Sequence, residues 1–181
     1  MKLKKKILFI TVCLSALFLQ ACSSTTELTQ ESTVSVVDNV EQYSRISSSE
    51  LKSLMGEPAS TESWSLQSPS GEYLVETYSY DKDLNHYEFI IADDSVIRTS
   101  IYSDKYWNKG ENTFEYTKEN DIPEMFGIRI TDTTQGTQGS KNGLTFILSP
   151  VNDKIANVEF GDVSNNTFGY AKVTYNVKYF E

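Results

Sequence analysis

The residues that could carry chemistry are few, and the rarest of them is histidine. The chain has one imidazole, His86, and its two cysteines, Cys13 and Cys22, both lie near the N-terminus. General acid–base catalysis and covalent catalysis most often use an imidazole or a thiolate. Because His86 stands at the start of a predicted strand beside a loop, we interpret it as a partly exposed structural residue. We predict no catalytic residue and no enzymatic activity.

A serine–lysine pair resembles part of a known catalytic pattern. Ser49 and Lys52 have the Ser-x-x-Lys spacing of penicillin-binding enzymes, whose other two boxes have only distant counterparts at residues 164–166 and 141–143. Those boxes stand in the wrong order, and one lacks its hydroxyl residue. The sequence also contains no Gly-x-Ser-x-Gly elbow to present a serine nucleophile. Ser49 is better explained as part of a helix start.

An acidic turn resembles the opening of a calcium-binding loop. Asp81, Asp83 and Asn85 place oxygen ligands at alternate positions, as such a loop requires. However, His86 stands where the loop needs glycine for its sharp turn, and Ala92 stands where it needs a bidentate glutamate. We therefore predict a hairpin turn here, and neither a metal ion nor a cofactor for the chain.

The acidic residues of the chain are compatible with a second function, a hydrolase that uses only carboxylates. A cell-wall or glycan hydrolase can work with two carboxylates that face one cleft about 5 to 10 Å apart. The sequence offers neighbouring acidic pairs, such as Glu115/Glu119 and Asp93/Asp94. Such pairs are expected by chance in so acidic a chain, so they do not identify an active site by themselves.

A thirteen-residue polar stretch, residues 131–143, separates two predicted strands. Loops of that length inside a compact domain tend to be functional or mobile. A binding role and a mobile hairpin tip are both open for this stretch.

Composition predicts one folded, β-rich, acidic domain. The chain has 181 residues, of which 39% are hydrophobic and 12% aromatic, enough to bury a core. The many tyrosines and phenylalanines favour strands. Without the four lysines of the first 21 residues, 12 basic and 25 acidic side chains remain, a formal charge of −13. Such a charge repels phosphate backbones, so we predict no nucleic-acid partner.

The N-terminus has the pattern of an export signal. A short basic stretch precedes residues 7–19, which are uncharged and, as a helix, would span only about 20 Å of a hydrocarbon core about 30 Å thick. We predict a signal peptide at residues 1–21. Leu19, Gln20, Ala21 and Cys22 then resemble the bacterial lipobox. The resemblance implies diacylglyceryl attachment to Cys22 and anchoring on the extracytoplasmic face of the cell membrane.

Residues 22–41 are predicted to form a flexible tether behind the lipidated Cys22. From Ser23 to Glu41 the sequence has eight Ser or Thr, four acidic residues, no basic residue and no aromatic one. Such a segment buries too little apolar surface to offset the entropy of ordering.

Residues 42–103 predict a helix and an antiparallel meander. Ser47 and Glu50 have the spacing of a capping box, and Gly56 followed by Pro58 marks the helix end. Leu51, Leu54 and Met55 should share the buried face. Four strand patterns follow, joined by short turns that can link only antiparallel neighbours. They cover residues 61–66, 72–80, 86–92 and 96–103.

This helix, its stop at residues 54–58 and the meander resemble the repeat unit of the β-lactamase-inhibitor-protein fold, which also occurs in small assembly lipoproteins. The resemblance covers about residues 45–103, implies a fold and transfers no functional residue. As a whole, the chain looks like the uncharacterised streptococcal-type (Gram-positive) lipoproteins, a family with no assigned activity.

The C-terminal region, residues 104–181, predicts further antiparallel strands after a linking segment at 104–125. The predicted strands are residues 126–130, 144–149, 155–160 and 168–180, and the last shows a clear apolar–polar alternation. The expected fold class is α+β, mostly β: a short helix packed on an antiparallel meander, followed by a further antiparallel region. Whether the two regions share one core is left open.

Two functions are compatible with these features. The first is a non-enzymatic binding or accessory lipoprotein of the cell envelope, held to the membrane through Cys22, with an unidentified protein or envelope partner. The alternative is the carboxylate-dependent hydrolase.

Overall fold

The fold is that of a computed structural model, which describes residues 34–140 and 144–181, without the side chains of 137–140. These residues belong to one compact unit. The lipid-attachment prediction at Cys22 and the signal-peptide prediction at 1–21 lie outside the described residues. Within the described ranges, no helix is long and apolar enough to cross a membrane.

The described residues form a mostly antiparallel β fold with three short α-helices, which confirms the predicted fold class. The helices are α1 (Ser48–Met55), α2 (Asp104–Asn108) and α3 (Asp121–Met125). The strands are β1 (Ser60–Ser68), β2 (Gly71–Lys82), β3 (Asn85–Ala92), β4 (Ser95–Ser103), β5 (Phe114–Glu115), β6 (Gly136–Ser140), β7 (Leu144–Leu148), β8 (Asn157–Val163), β9 (Thr167–Phe168) and β10 (Tyr170–Thr174).

Eight strands form one sheet in the order β1-β2-β3-β4-β10-β8-β7-β6, and β5 pairs separately with β9. Strand β10 pairs antiparallel with both β4 and β8, and Ala171 lies between Ile101 and Phe160. The helix-plus-meander region and the C-terminal region are therefore joined in one sheet through the last strand of the chain.

Tight hairpins connect the meander. Asp83 and Leu84 have φ angles of 51° and 66°, and Asp93 and Asp94 have 50° and 55°. Two consecutive residues at positive φ are typical of two-residue type I′ turns, whose twist matches that of the flanking strands. The predicted hairpin turn at residues 81–85 is confirmed by the β2–β3 pairing.

Helix α1 begins and ends where the sequence predicts. Ser47 and Glu50 form a reciprocal capping box, and Gly56 follows the helix at a φ of 85°. The hydrogen bonds that Ser47 donates hold the pKa of Glu50 below its ordinary value, since they stabilise the carboxylate. Leu51 is fully buried against the sheet, whereas Leu54 is 52% exposed. The prediction that Leu54 shares the buried face is wrong, because the eight-residue helix covers the sheet with a narrower stripe.

The main core lies on one face of the sheet, here called the closed face and defined by Phe89, Ile101, Phe160, Val173 and Tyr175. All five side chains are completely buried. Aromatic rings supply much of the packing, for example Phe160, which lies 5.7 Å from Phe126 and 5.8 Å from Phe168 between ring centroids. This face carries most of the apolar burial that stabilises the domain.

The predicted tether is too long at its C-terminal end. Val37 and Val40 donate backbone hydrogen bonds to Met125 and Phe126, and residues Val40–Tyr43 form a 3₁₀ turn. Val40 is completely buried. Residues 34–41 are therefore packed against the domain, because the few valines in this polar stretch find an apolar surface built from distant residues.

Several predicted strands of the C-terminal region differ from the structure. The segment 126–130 is not a strand, because it follows α3 as a turn and an extended loop. The segment 168–180 is broken: β9 ends at Phe168, β10 ends at Thr174, and Val177–Tyr179 form a 3₁₀ turn. The predicted strand 155–160 is shifted to 157–163. The alternation of apolar and polar residues in the sequence does not show at which residue a strand stops pairing with its neighbour.

The polar stretch 131–143 is not one long loop. Residues Gly136–Ser140 form edge strand β6, which pairs with β7. Only residues 131–135 remain as a loop before it, and Thr131 and Thr134 donate their hydroxyl hydrogen bonds to the carbonyl oxygen of Val151. Backbone pairing with an apolar neighbour makes a strand here despite the polar side chains.

Candidate functional site

The second face of the sheet carries charged and hydroxyl side chains in register across four strands. Glu88 lies opposite Ser100, Ser100 opposite Lys172, and Lys172 opposite Glu159. The neighbouring row, also in register, comprises His86, Tyr102, Tyr170 and Gly161. These eight residues are here called the polar face. Their alternation with the closed-face residues follows from the two-residue period of a strand.

Two tyrosines on the polar face bind its two glutamates. The Tyr102 hydroxyl donates to Glu88 Oε2 at 3.0 Å, and the Tyr170 hydroxyl donates to Glu159 Oε1 at 2.6 Å. Burial, followed by the charge of Glu88, raises the pKa of Tyr102 to about 12. The pKa of Tyr170 is raised by burial and by its bond to Glu159. Both phenols therefore stay neutral donors to their glutamates at physiological pH.

Helix α2 lays two aromatic rings over one end of the polar face. The Trp107 indole stacks on the His86 imidazole, with ring centroids 3.8 Å apart and planes within 4° of parallel. Tyr106 stacks on Tyr102 at a centroid distance of 5.9 Å. Trp107 is 44% exposed and Tyr106 is 47% exposed. We call these two residues the aromatic platform.

Two glycines make room for the aromatic rings. A Cβ atom on Gly161 would lie 2.0 Å from the ring of Tyr170, and one on Gly169 would lie 2.5 Å from the ring of Tyr106. The ring of Tyr170 therefore lies directly on the backbone at Gly161, and the ring of Tyr106 lies directly on the backbone at Gly169. The close approach of Tyr106 to Gly169 fixes the position of this platform residue against the sheet.

His86 lies beneath Trp107 and between two carboxylates. Its Nδ1 is 2.7 Å from Asp81 Oδ1, and its Nε2 is 3.9 Å from Glu88 Oε1. The residue is only 7% exposed, which differs from the predicted partial exposure because Trp107 covers the ring. Among the described residues, Nε2 finds no hydrogen-bond partner.

The two glutamates of the polar face stand on strands that are not neighbours in the sheet. Glu88 on β3 and Glu159 on β8 are separated by three inter-strand steps, a backbone spacing of about 14 Å. Pairs of catalytic carboxylates in glycosidases lie about 5 to 9.5 Å apart. Glu88 and Glu159 each accept a hydrogen bond from a tyrosine of the adjacent strand, so each carboxylate has its own structural partner.

The other residues considered in the sequence have structural surroundings. The Ser49 hydroxyl hydrogen-bonds with that of Ser47, and Lys52 pairs with Glu57 at 3.2 Å. Asp94 accepts hydrogen bonds from the backbone and hydroxyl of Ser48, which lower the pKa of its carboxyl, and Asp93 accepts one from Tyr179. Both aspartates of that pair therefore hold the fold together.

No group of three or more potential metal ligands occurs within residues 34–140 and 144–181. Glu115 lies on the short strand β5. Asp81 and Asp83 belong to a hairpin turn that lines a shallow pocket of about 290 Å³ together with Asp104 and Asn108. Asp83 has a φ of 51° in this turn, a left-handed conformation that aspartate tolerates better than most residues.

Sequence reasoning missed the aromatic platform. Tyr106 and Trp107 lie in the segment that was interpreted only as a linker, and Glu88 was not considered because it stands inside a predicted strand. Two adjacent aromatic residues within a charged segment are a signal that could have indicated a surface site. Their partners His86 and Tyr170 are 21 and 63 residues away from Trp107 in the sequence, so the cluster itself had no local pattern.

No protein-family model matches the chain, and no curated protein matches it. Two of the solved structures match the chain in part as follows. The first is an extracellular protein containing an SCP domain from Bacillus anthracis str. Ames, 15% identical, with a TM-score of 0.41 over 83% of this chain and 49% of that one. The second is a cysteine-rich secretory protein from Staphylococcus aureus subsp. aureus Mu50, 8% identical, with a TM-score of 0.42 over 78% of this chain and 46% of that one. The chain thus spans about half the length of either protein.

Proposed function

We propose that this chain is a non-enzymatic lipoprotein, anchored through Cys22 on the extracytoplasmic side of the cell membrane, that binds a protein or another envelope component through its polar face. The single observation that carries the binding role is the aromatic platform, in which two half-exposed rings stack on His86 and Tyr102 next to a row of charged side chains. The resemblance of the whole chain to the streptococcal-type lipoproteins is part of this proposal.

The chemistry of the platform suits recognition. Tryptophan and tyrosine are enriched among the residues that dominate binding energy, since each presents a large rigid surface with a polar edge. Trp107 is held in one orientation by His86, so little conformational entropy is lost when a partner covers it. Lys172, Glu88 and Glu159 lie beside the platform and offer charges of both signs to a partner.

The anchor rests on the pattern around Cys22. A short basic stretch, an uncharged run and a lipobox-like Leu-Gln-Ala-Cys sequence together support cleavage before Cys22 and acylation of its thiol. Two acyl chains at about 0.8 kcal/mol per buried methylene hold a protein stably on a bilayer, whereas one chain is marginal.

The anchor is tested with the full chain expressed in its own cell type. Mass spectrometry of the membrane fraction should find Cys22 as the first residue, carrying a diacylglyceryl group. The Cys22→Ala variant should lose that modification, whereas Cys13→Ala, which changes the other cysteine, should keep it. An N-terminus upstream of Cys22 or an unmodified thiol would overturn the anchoring part of the proposal.

The binding role is tested by crosslinking the same chain on intact cells and recovering it from membranes. Trp107→Ala should reduce the recovery of a specific partner at least several-fold, because it removes the central ring of the platform. Leu74→Ala is the matched control, since Leu74 is 76% exposed on another part of the sheet. Equal recovery by both variants, or no partner under several growth conditions, would contradict the proposal.

A further inference from the structure

The only histidine of the chain is buried at a position where its neutral and protonated forms would make different hydrogen bonds. His86 is more than nine-tenths buried, stacks under Trp107 and has a carboxylate facing each ring nitrogen. Imidazole is the side chain that gains or loses a proton between about pH 5 and 8.

Hydrogen bonding assigns the tautomer of the neutral ring. An ionised carboxylate can only accept, so the 2.7 Å contact with Asp81 requires the proton on Nδ1. Nε2 of the neutral ring then carries a lone pair, and the Oε1 atom of Glu88 that faces it is also an acceptor. Two acceptors cannot bond, which explains the 3.9 Å separation and the unpartnered Nε2 among the described residues.

The neighbouring elements place the following groups around the ring. Strand β2 contributes Asp81, and β3 contributes Glu88. Strand β4 contributes Tyr102, whose hydroxyl already donates a hydrogen bond to Glu88. Helix α2 contributes the neutral indole of Trp107. The acidic residue of that helix, Asp104, accepts a hydrogen bond from Asn108 at 3.4 Å and lies against Gly110.

We infer that His86 is a pH-sensitive clamp for the aromatic platform. When a proton from solvent adds to Nε2, the new N–H donates to Glu88 Oε1 and turns a contact between two acceptors into a charge-assisted hydrogen bond. The imidazolium also places a positive charge under the face of the indole, an attractive cation–π arrangement. Protonation therefore ties β2, β3 and α2 together and holds Trp107 more firmly on the sheet.

The consequence for binding rests on the proposed function of the platform. Helix α2 follows β4 directly, has five residues with none of them buried, and contacts the polar face through the stacked rings of Trp107 and Tyr106. A partner that binds the platform should be retained better in mildly acidic than in mildly alkaline solution, since a firmer platform loses less entropy on binding.

The clamp can be measured without any ligand. The chain has two tryptophans, so Trp64→Phe leaves Trp107 as the only indole. In the full chain purified in mild detergent, Trp107 fluorescence should change in one step as the solution is acidified, because the imidazole stacked on the indole gains a positive charge. The proton NMR signal of the only histidine should titrate with the same midpoint. In a Glu88→Gln background the midpoint should move to lower pH, since the anionic acceptor is lost.

Controls separate the clamp from general acid effects. His86→Gln should abolish the fluorescence step, and Trp107→Phe with Trp64 retained should show none. Circular dichroism monitors folding, and the Glu88→Gln shift keeps the test valid if His86→Gln does not fold. A flat Trp107 profile, or a step that persists without His86, would overturn the clamp. A step with no partner recovered on cells would support the clamp while contradicting the proposed binding function.

Discussion

The two faces of the eight-stranded sheet are built from the same strands and differ in how completely they are covered. On the closed face, Phe89, Phe160 and Tyr175 are fully buried. On the polar face, Glu88 keeps 29% of its side chain exposed, and Trp107 and Tyr106 are each nearly half exposed. The contrast shows that the alternation of side chains along each strand concentrates apolar burial on one face and leaves the other face partly open.

The faces also differ in how polar atoms are used. On the closed face, the buried Tyr175 hydroxyl donates to the carbonyl oxygen of Val40 at 2.7 Å and also hydrogen-bonds with the Thr99 hydroxyl at 3.2 Å. On the polar face, tyrosine hydroxyls bind ionisable carboxylates, and Nε2 of His86 is left without a partner among the described residues. The hydroxyls of Tyr80 and Ser103 on the closed face are also buried without a partner among the described residues. The faces therefore differ in the chemistry of the unpartnered atom, which is a hydroxyl on the closed face and a titratable imidazole nitrogen on the polar face.

The largest effect should come from truncating a ring on the closed face. Phe160→Ala should lower the free energy of unfolding by about 3 to 5 kcal/mol, because it leaves a cavity among Phe126, Phe146 and Phe168. Urea unfolding monitored by circular dichroism measures the loss. The control Leu74→Ala, at a 76% exposed position, should stay within about 0.5 kcal/mol of the parent. Similar losses in both variants would break the distinction between covered and uncovered positions.

A smaller effect is expected when only a buried hydroxyl is removed. Tyr175→Phe should cost about 1 to 3 kcal/mol, since the carbonyl of the completely buried Val40 loses its donor. Hydrogen exchange should show faster opening of residues 34–46, which this bond ties to the end of the sheet. Tyr78→Phe is the control, because the Tyr78 hydroxyl makes only a 3.3 Å contact with Glu76. A Tyr175→Phe variant with an unchanged free energy of unfolding would show that the stability of the closed face does not depend on this hydrogen bond.

The smallest stability effect should follow a change on the polar face. Gly161→Ala places a Cβ within 2.0 Å of the Tyr170 ring, which must swing away from Glu159. Because this ring can move toward solvent, the cost should be about 1 kcal/mol, at the low end for overpacking. Trp107 emission in the Trp64→Phe background should nevertheless change, since Tyr170 packs against Tyr106, the neighbour of Trp107.

Gly136→Ala is the matched control for this change. The Cβ it adds would lie 3.4 Å from the nearest atoms, so the substitution should leave Trp107 emission unchanged. A loss of stability in Gly161→Ala as large as that in Phe160→Ala would mean that the polar face is packed as tightly as the closed face. That result would remove the main argument for recognition there.

Local sequence signals predicted the N-terminal half of the fold well. The capping box at Ser47 and Glu50 and the glycine stop at Gly56 are present, and all four meander strands are found within about two residues of their predicted ends. These features depend on residues close in sequence, whose turn and cap chemistry acts over a few positions.

The secondary structure of the C-terminal half was harder to predict, because its strands pair with segments that are distant in the sequence. The alternation around Lys172 correctly predicted a strand with one apolar face, but it extended the strand past Thr174, where β10 ends. Residues 34–41 were assigned to the tether, although Val40 is buried beside Phe126. In both cases the outcome depends on which neighbour supplies hydrogen bonds, and neighbouring residues in the sequence do not contain that information.

The sequence by itself determined the fold class, the caps and turns of residues 47–103, and the absence of thiol chemistry after residue 22. It also predicted the anchor at Cys22, which remains a prediction. Only the tertiary structure decided that β10 joins two regions into one sheet, that His86 lies between Asp81 and Glu88, and that Trp107 covers it. The physical reason is range: caps and turns are satisfied within a few residues, whereas a site on a sheet face is assembled from strands whose order is set by burying the other face.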